Sequence, residues 1–329
     1  MLLKGNPVLV VGDLHFSAIF TGMHKDYFSE CCSALNHISD LVKEHKPSGL
    51  VLLGDIIGWS ETNIKDHEAL HLLFKYFKAW NEVCPVFSLV GNHDMKGHPD
   101  FLMFHDLGLI KTSTDCNGYI DFQPADSEET VRLHLVDYHD VKRHIDILDG
   151  SSNIALCHDA FTIQGFTNWF VVPDAYELGT LSNFDGIEGV IAGHVHQPSP
   201  DFAETVMPNG KKCWLFYVGC PTRPQRDEYN NVWSMLISYN ADGYAEVTPE
   251  TWELLDSKEA FYAQEVLVNA DSAEEVKRKE ALGAVIDDLL KYHIGVGDPV
   301  EQINKIPNAS EGAKKVAVQY LQRAMNQGA

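Results

Sequence analysis

At 329 residues, with 45% of them hydrophobic, the chain can bury a sizeable core and make one large domain, or a domain with an appendage. Its 47 acidic residues against 25 basic ones leave a net charge of −22, which excludes loose adhesion to nucleic acid or acidic lipid as the basis of function. A nucleic-acid substrate held at a cation-filled site remains compatible with that charge, and 16 histidines offer the commonest side-chain ligand of transition metals.

The N-terminus, Met1 to Gly5, runs into a strand-like segment with no cleavable secretion signal. Val8 to Val11 is a continuous apolar run of buried-strand length that ends, through Gly12, at Asp13 and His15. From Asp26 to Lys43, Tyr27, Cys31, Leu35, Ile38 and Leu41/Val42 make one apolar stripe at helical spacing. A second apolar run, Leu50 to Leu53, ends through Gly54 at Asp55, and a second helical stripe (Leu70, Leu73, Phe74, Phe77) follows within 66–80. Val86 to Val90 ends through Gly91 at Asn92 and His93; Ile154 to Cys157 ends at His158; Val190 to Ala192 ends through Gly193 at His194 and His196. Short β-branched runs of this kind suit interior strands covered on both faces. Their alternation with helices implies a parallel sheet in the N-terminal half, with ligands at the carboxyl ends of its strands.

After His196 the pattern turns to β. Trp214 to Gly219, Val232 to Tyr239 and Tyr244 to Val247 read as strands that complete a second sheet packed on the first. The fold class expected is therefore α/β, a two-sheet sandwich flanked by helices. From residue 255 the chain reads as helical: a capping box at Ser272 to Glu275 precedes an apolar face of Leu282, Val285, Ile286 and Leu289. A second helix is expected over 310–325, with a hinge at Gly295 to Pro299. The domains expected are thus 1–254, catalytic, and 255–329, a helical tail. Seven cysteines without metal-finger spacing imply reduced thiols and a cytoplasmic setting.

A pair of divalent metals needs several oxygen and nitrogen donors with a carboxylate or water between them. Asp13-x-His15, Gly54-Asp55, Gly91-Asn92-His93-Asp94, the strand-end His158 and Gly193-His194-Val195-His196 resemble, in order and spacing, the calcineurin-like metallophosphoesterase superfamily over residues 7–200. That resemblance implies that Asp13, His15 and His196 hold one metal and that Asn92, His158 and His194 hold the other, with Asp55 bridging. It also makes His93 a hydrogen-bond donor or general acid at the scissile phosphate, oriented by Asp94. Mixed donor sets of this kind accept Mn, Fe, Zn, Co or Mg, and manganese is the metal expected.

Two further segments are similar to SbcD-type DNA exonucleases: Phe184 to Pro198 around the last histidines, and Tyr217 to Arg223 followed by Asp227-Glu228. By that likeness the substrate is DNA, in repair or recombination, and the tail docks an SMC-like ATPase of SbcC type; a homodimer is compatible with the sequence, which leaves oligomeric state open, and no membrane association is expected because no window approaches the roughly 20 apolar residues of a span. A small-molecule phosphodiesterase or phosphomonoesterase is the alternative, ahead of a non-catalytic scaffold. One departure stands out: those nucleases carry a histidine three residues after the bridging aspartate, where this chain has Gly58. Arg223 and Arg226 are candidate phosphate contacts. His105, His134 and His293 read as satisfied or exposed, His67 and His71 as helix-surface residues, and Lys142 to His144 and Lys211-Lys212 as solvated surface. Trp59 and Tyr138 read as packing or surface aromatics ahead of base-stacking ones.

Overall fold

A computed structural model of the protein describes residues 1–17, 24, 26–58, 64–94, 99–125, 128–163, 175–199, 201–222, 231–239 and 245–253. In chain order the elements are β1 (Leu2–Gly5), β2 (Val8–Val11), α1 (Tyr27–His45), β3 (Gly49–Leu52), α2 (Ile64–Asn81), β4 (Val86–Ser88) and α3 (Pro99–Asp106). There follow β5 (Tyr119–Pro124), β6 (Val131–Val136), β7 (Ser152–Cys157), β8 (Phe161–Thr162), β9 (Tyr176–Glu177) and β10 (Gly189–Ala192). The series closes with β11 (Ala203–Val206), β12 (Lys212–Tyr217), β13 (Asn231–Tyr239) and β14 (Ala245–Glu253).

The strands form a five-stranded sheet of order β14-β13-β2-β3-β4, a seven-stranded sheet of order β1-β5-β6-β7-β10-β12-β11, and a small pair, β8-β9. The mixed two-sheet α/β class is as expected, but its assembly differs from the sequence reading. The five strand runs that end in polar clusters do not share one sheet. β2, β3 and β4 pair in parallel in the first, whereas β7 and β10 pair in parallel in the second. Nor do the late strands make a sheet of their own. β12 joins β10 in parallel, while β13 runs antiparallel to β2 and carries β14 on its other edge.

The burial pattern explains why the runs are continuously apolar. On β2 and β3, Leu9, Val11, Leu50 and Leu52 meet α1 and α2, while Val8, Val10 and Val51 face the other sheet. On β7, Ile154 and Leu156 point between the sheets, and Ala155 and Cys157 point to the outer layer. Side chains alternate along a strand, so a strand covered on both faces needs apolar residues at every position. Helix α1 begins at Asp26, whose side chain accepts the Ser29 N–H at 3.1 Å, and ends where Lys46 turns left-handed at φ 44. The expected stripe is its buried face.

His105 is half-exposed between Asp106 and Asp115. Arg143 is not merely solvated: its guanidinium donates to the carbonyls of Gly118 and Leu135, tying two strand ends. Lys212 stays exposed and pairs with Glu204 at 2.7 Å. No two of the seven cysteines are disulfide-bonded. Among the described residues no helix is long and apolar enough to cross a membrane. Trp59, Arg223, Arg226, His293, the side chain of His67 and the helices expected beyond 254 lie outside the described residues.

His134 is buried and shares a hydrogen bond with Asn153 Oδ1 at 3.1 Å; burial pushes its imidazole down to about 4. An unfolded-state imidazole titrates near 6.5, so on acidification the unfolded chain takes up the proton first. The stability contribution is complete above that value and is lost as pH falls through the window to about 4, amounting to about 3 kcal/mol. Denaturant melts from pH 7 to 4 should therefore show wild type losing about that much more stability than His134→Gln.

Candidate functional site

Five loops bring the expected donors to one place. β2 delivers Asp13 and His15, β3 delivers Asp55, and the turn after β4 delivers Asn92, His93 and Asp94; from the other sheet, β7 delivers His158 and β10 delivers His194 and His196. The cluster therefore sits at the carboxyl ends of parallel strands drawn from both sheets. Asp13, His15, Asp55, Asp94 and His158 are buried. Asn92, His93, His194 and His196 are partly exposed and form the accessible side.

Local backbone is bent to achieve this. His15, Asp55 and His194 all adopt left-handed φ values, 43, 44 and 67, which non-glycine residues rarely take. Such strain, on the order of 1–3 kcal/mol per residue, is retained where surrounding structure over-determines it. Backbone hydrogen bonds hold these turns in place. His15 N–H donates to Asp55 O at 2.8 Å, His194 N–H to Asp13 Oδ2 at 2.7 Å, and His93 N–H to Asp55 Oδ1 at 2.8 Å. Asp94 Oδ2 accepts the Gly91 N–H at 3.0 Å, so the contact acts on His93 through the turn that carries it.

Two glycines are required by close approach. A Cβ on Gly193 would overlap Asp13 Oδ1, and one on Gly91 would overlap Asp55 Oδ1 and lie 2.5 Å from Asp55 N. Gly91→Ala must therefore displace Asp55. Metal affinity should fall about 10- to 100-fold, the range for disturbing ligand support, read by titrating manganese into the purified variant.

The donor atoms fall into overlapping groups. Asp13, His15 and His196 offer ligand atoms within 4.8 Å of one another, as do Asp13, Asp55 and His158, and His15, Asp55 and His93. Asn92 Oδ1 lies 3.1 Å from His158 Nε2 and 2.9 Å from His194 Nδ1. Asp55 Oδ2 sits between the two sides, 3.4 Å from His158 Nε2 and 3.6 Å from His15 Nε2. His15 Nε2 and His196 Nε2 approach to 2.8 Å.

Two observations suit this cluster to holding a cation. Asp13 Oδ1 is buried with no hydrogen-bond partner among the described residues. Buried polar atoms are normally satisfied, and an orphan inside a donor cluster is an atom that a cation would satisfy. The donor set, carboxylate with imidazole and amide oxygen, suits divalent transition metals.

Electrostatics point the same way. Burial pushes the Asp13 carboxyl up to about 6, against the pull of His158. Burial also opposes ionisation of Asp55, yet the imidazoles of His158, His15 and His93 outweigh it and hold that carboxyl well below the usual range. For His158 burial lowers the pKa, but Asp13 and Asp55 prevail and raise it to about 10. His15 is held well below its ordinary value, by burial and then by His196, and His194 is lowered to about 4 by burial and then by His158. The two carboxylates thus call for positive charge, which the His158 proton supplies and which a cation bound there would supply in its place, while His15 and His194 are kept neutral, as a metal ligand must be.

Three supports escaped the sequence reading. Cys220 Sγ contacts Asp13 O at 3.0 Å, Thr222 Oγ1 donates to Leu14 O at 3.2 Å, and Tyr27 OH donates to His15 O at 2.9 Å. Cys220 N–H also donates to His196 O at 2.9 Å. The Tyr217 to Thr222 stretch therefore clasps the loops carrying Asp13, His15 and His196. Its singular sequence was the signal, but the contacts are visible only in the fold. Gly58 has a physical reason too: a Cβ there would lie 2.7 Å from His15 O, where Phe16 and Ile57 bridge the two loops.

Structural likenesses are distant. A Staphylococcus aureus protein named as a putative 5′-nucleotidase aligns with 82% of this chain and 58% of its own length, at 12% identity and a TM-score of 0.42. A Thermus thermophilus protein aligns over 76% of this chain and 99% of its own, at 9% identity and a TM-score of 0.44. A dimetal phosphatase from Danio rerio aligns over 75% and 98%, at 12% identity and a TM-score of 0.42. No curated protein matches the chain. The family model described as calcineurin-like phosphoesterase matches residues 6–198, the stretch that supplies every donor from Asp13 to His196, and over that stretch the chain belongs to the calcineurin-like phosphoesterase family.

Proposed function

We propose that the protein is a two-metal phosphodiesterase acting on DNA, a nuclease subunit that works with an SMC-like ATPase. The observation that carries the hydrolytic reading is the placement of Asp55 Oδ2 within 3.6 Å of imidazoles from both sides of the cluster, as a bridging ligand requires. Asp13, His15 and His196 would hold one divalent cation, and Asn92, His158 and His194 the other; manganese fits this donor set. When bound, the pair supplies charge neutralisation of the phosphoester and acidifies water for attack.

The protein's own groups do the rest. Asp55 and Asp13 would hold the cations, and the backbone N–H groups of His93 and His194 pin those two carboxylates. The His93 imidazole is 23% exposed with Nε2 4.0 Å from Asp55 Oδ2, so it borders both the buried cluster and the solvent side where substrate arrives. From there it donates to the leaving oxygen as charge develops. Asp94 keeps its turn in register. Arg223 and Arg226 are the proposed contacts to flanking phosphates.

The DNA assignment is supported by the nuclease-like segments Phe184 to Pro198 and Tyr217 to Arg223. A second reading, hydrolysis of a small phosphoester, is favoured by Gly58, where the backbone of His15 leaves no room for the side chain those nucleases carry. Labelled linear and hairpin DNA, incubated with purified protein and Mn²⁺ beside p-nitrophenyl esters, separates the two. DNA cleavage that disappears in Asp55→Asn is the expected result. Ester turnover without DNA cleavage would give preference to the small-molecule reading, and neither activity would overturn both.

A further inference from the structure

The turn after β6 borders the donor cluster without supplying a metal ligand. Tyr138 N–H donates to Val90 O at 3.0 Å, and Asp137 Oδ1 accepts the Val90 N–H at 2.8 Å, so the turn is tied to the strand end that leads into Asn92. Ser113 Oγ donates to Asp137 Oδ2. On the other flank Asp159, a buried carboxylate next to His158, accepts the His139 N–H at 2.9 Å. His139 itself is exposed and left-handed, at φ 63.

These anchors hold Tyr138 and His139 against the rings of His194 and His158. Tyr138 and His139 pack with centroids 3.8 Å apart and planes inclined by 32°. Tyr138 also lies 5.2 Å from the His194 ring, at 41°, and 6.0 Å from that of His158, at 79°. Core packing accounts for a half-buried tyrosine. It does not account for a histidine kept in solvent on left-handed backbone, its N–H held by a buried carboxylate and its ring laid on that tyrosine. Two aromatic rings packed at a 32° tilt beside a phosphoester site offer a stacking surface, and every nucleobase has a π-face to set on it.

We propose that Tyr138 and His139 form a stacking subsite for the nucleobase of a nucleotide-type phosphoester, adjoining the Asn92–His158–His194 side of the metal cluster. The proposal rests on the phosphoesterase reading above and adds its specificity: the substrate carries a base, on DNA or on a free nucleotide.

Calorimetric binding to manganese-loaded protein tests this, with thymidine 5′-monophosphate, the dinucleotide pTpT and methyl phosphate as probes and with His93→Gln in every protein titrated, the one with wild-type Tyr138 and His139 included, so that binding is read apart from turnover. That parent should prefer both nucleotides to methyl phosphate. Tyr138→Ala and His139→Ala should weaken nucleotide binding by about 5- to 150-fold, the span of base–aromatic stacking, with methyl phosphate binding and manganese content unchanged. Tyr138→Phe should retain the preference. Tighter binding of pTpT would support the subsite and point to DNA; parity with the mononucleotide would support it and point to free nucleotides. Equal binding of all three probes by the parent, or a preference that survives both alanine variants, would overturn the subsite. A nucleotide preference with no phosphoester hydrolysis by the protein with His93 intact would instead sink the catalytic reading and leave the subsite standing.

Discussion

Asp55→Asn should abolish measurable hydrolysis, with a loss of at least about 100-fold and a fall in bound metal, since disturbing only the supports of a ligand costs about 10- to 100-fold and this change removes a bridging charge. The substitution is nearly isosteric. The amide oxygen can still accept the His93 N–H that Asp55 Oδ1 receives at 2.8 Å, so the turn beneath His93 should survive. What disappears is negative charge at Oδ2, the atom that stands 3.4 Å from His158, 3.6 Å from His15 and 4.0 Å from His93. Asp13 also groups with donors of both sides and comes within 3.6 Å of His158, but of its Nδ1, the nitrogen turned to Leu53 O, whereas Asp55 Oδ2 faces the Nε2 atoms; Asp94 is engaged with Gly91. Initial rates on a phosphodiester, with elemental analysis of the same samples, provide the check. Activity within about tenfold of wild type at full metal content would remove Asp55 from the centre of the mechanism.

Phe87→Ala should cost the fold about 3–5 kcal/mol, the range for truncating a buried aromatic residue. Phe87 is fully buried on β4 in the layer between the two sheets, together with Val10 and Val51 from its own sheet and Phe122, Leu133 and Ile154 from the other. Its removal leaves a cavity at the junction that sets the separation of the sheets, which bounds how far collapse can refill it. The two halves of the donor cluster come from those same two sheets. The destabilised variant should therefore also bind manganese more weakly, whereas a comparably buried change in the outer layer, such as Phe184→Ala, should lower stability with less effect on metal binding. Denaturant midpoints and metal titrations of the two variants make the comparison.

The donors themselves were legible in the sequence. An apolar run that stops at a polar residue says where a strand ends and what it delivers, and five such runs in order named Asp13, His15, Asp55, Asn92, His93, His158, His194 and His196. Helices α1 and α2 were equally legible, because a one-sided apolar stripe at helical spacing has little other use. The short strands β1, β11 and the pair β8-β9 were not, being too brief to carry a period, and β5 and β6 were missed although β5 alternates in burial.

Which strands lie side by side was decided only by the tertiary structure. A run such as Val190 to Ala192, buried on both faces, satisfies any neighbour, so nothing in it says that it pairs with β7 rather than with β4. Partner choice in a parallel sheet depends on crossovers and on the residues packed above and below, which are remote in sequence. For the same reason the left-handed turns at His15, Asp55 and His194, the overlap that forbids a side chain at Gly91, and the stacking of Tyr138 on His139 emerge only when two sheets close over one cavity. Local pattern determines what each segment carries; mutual burial determines where it is carried, because the energy that selects one arrangement lies in contacts between segments rather than within them.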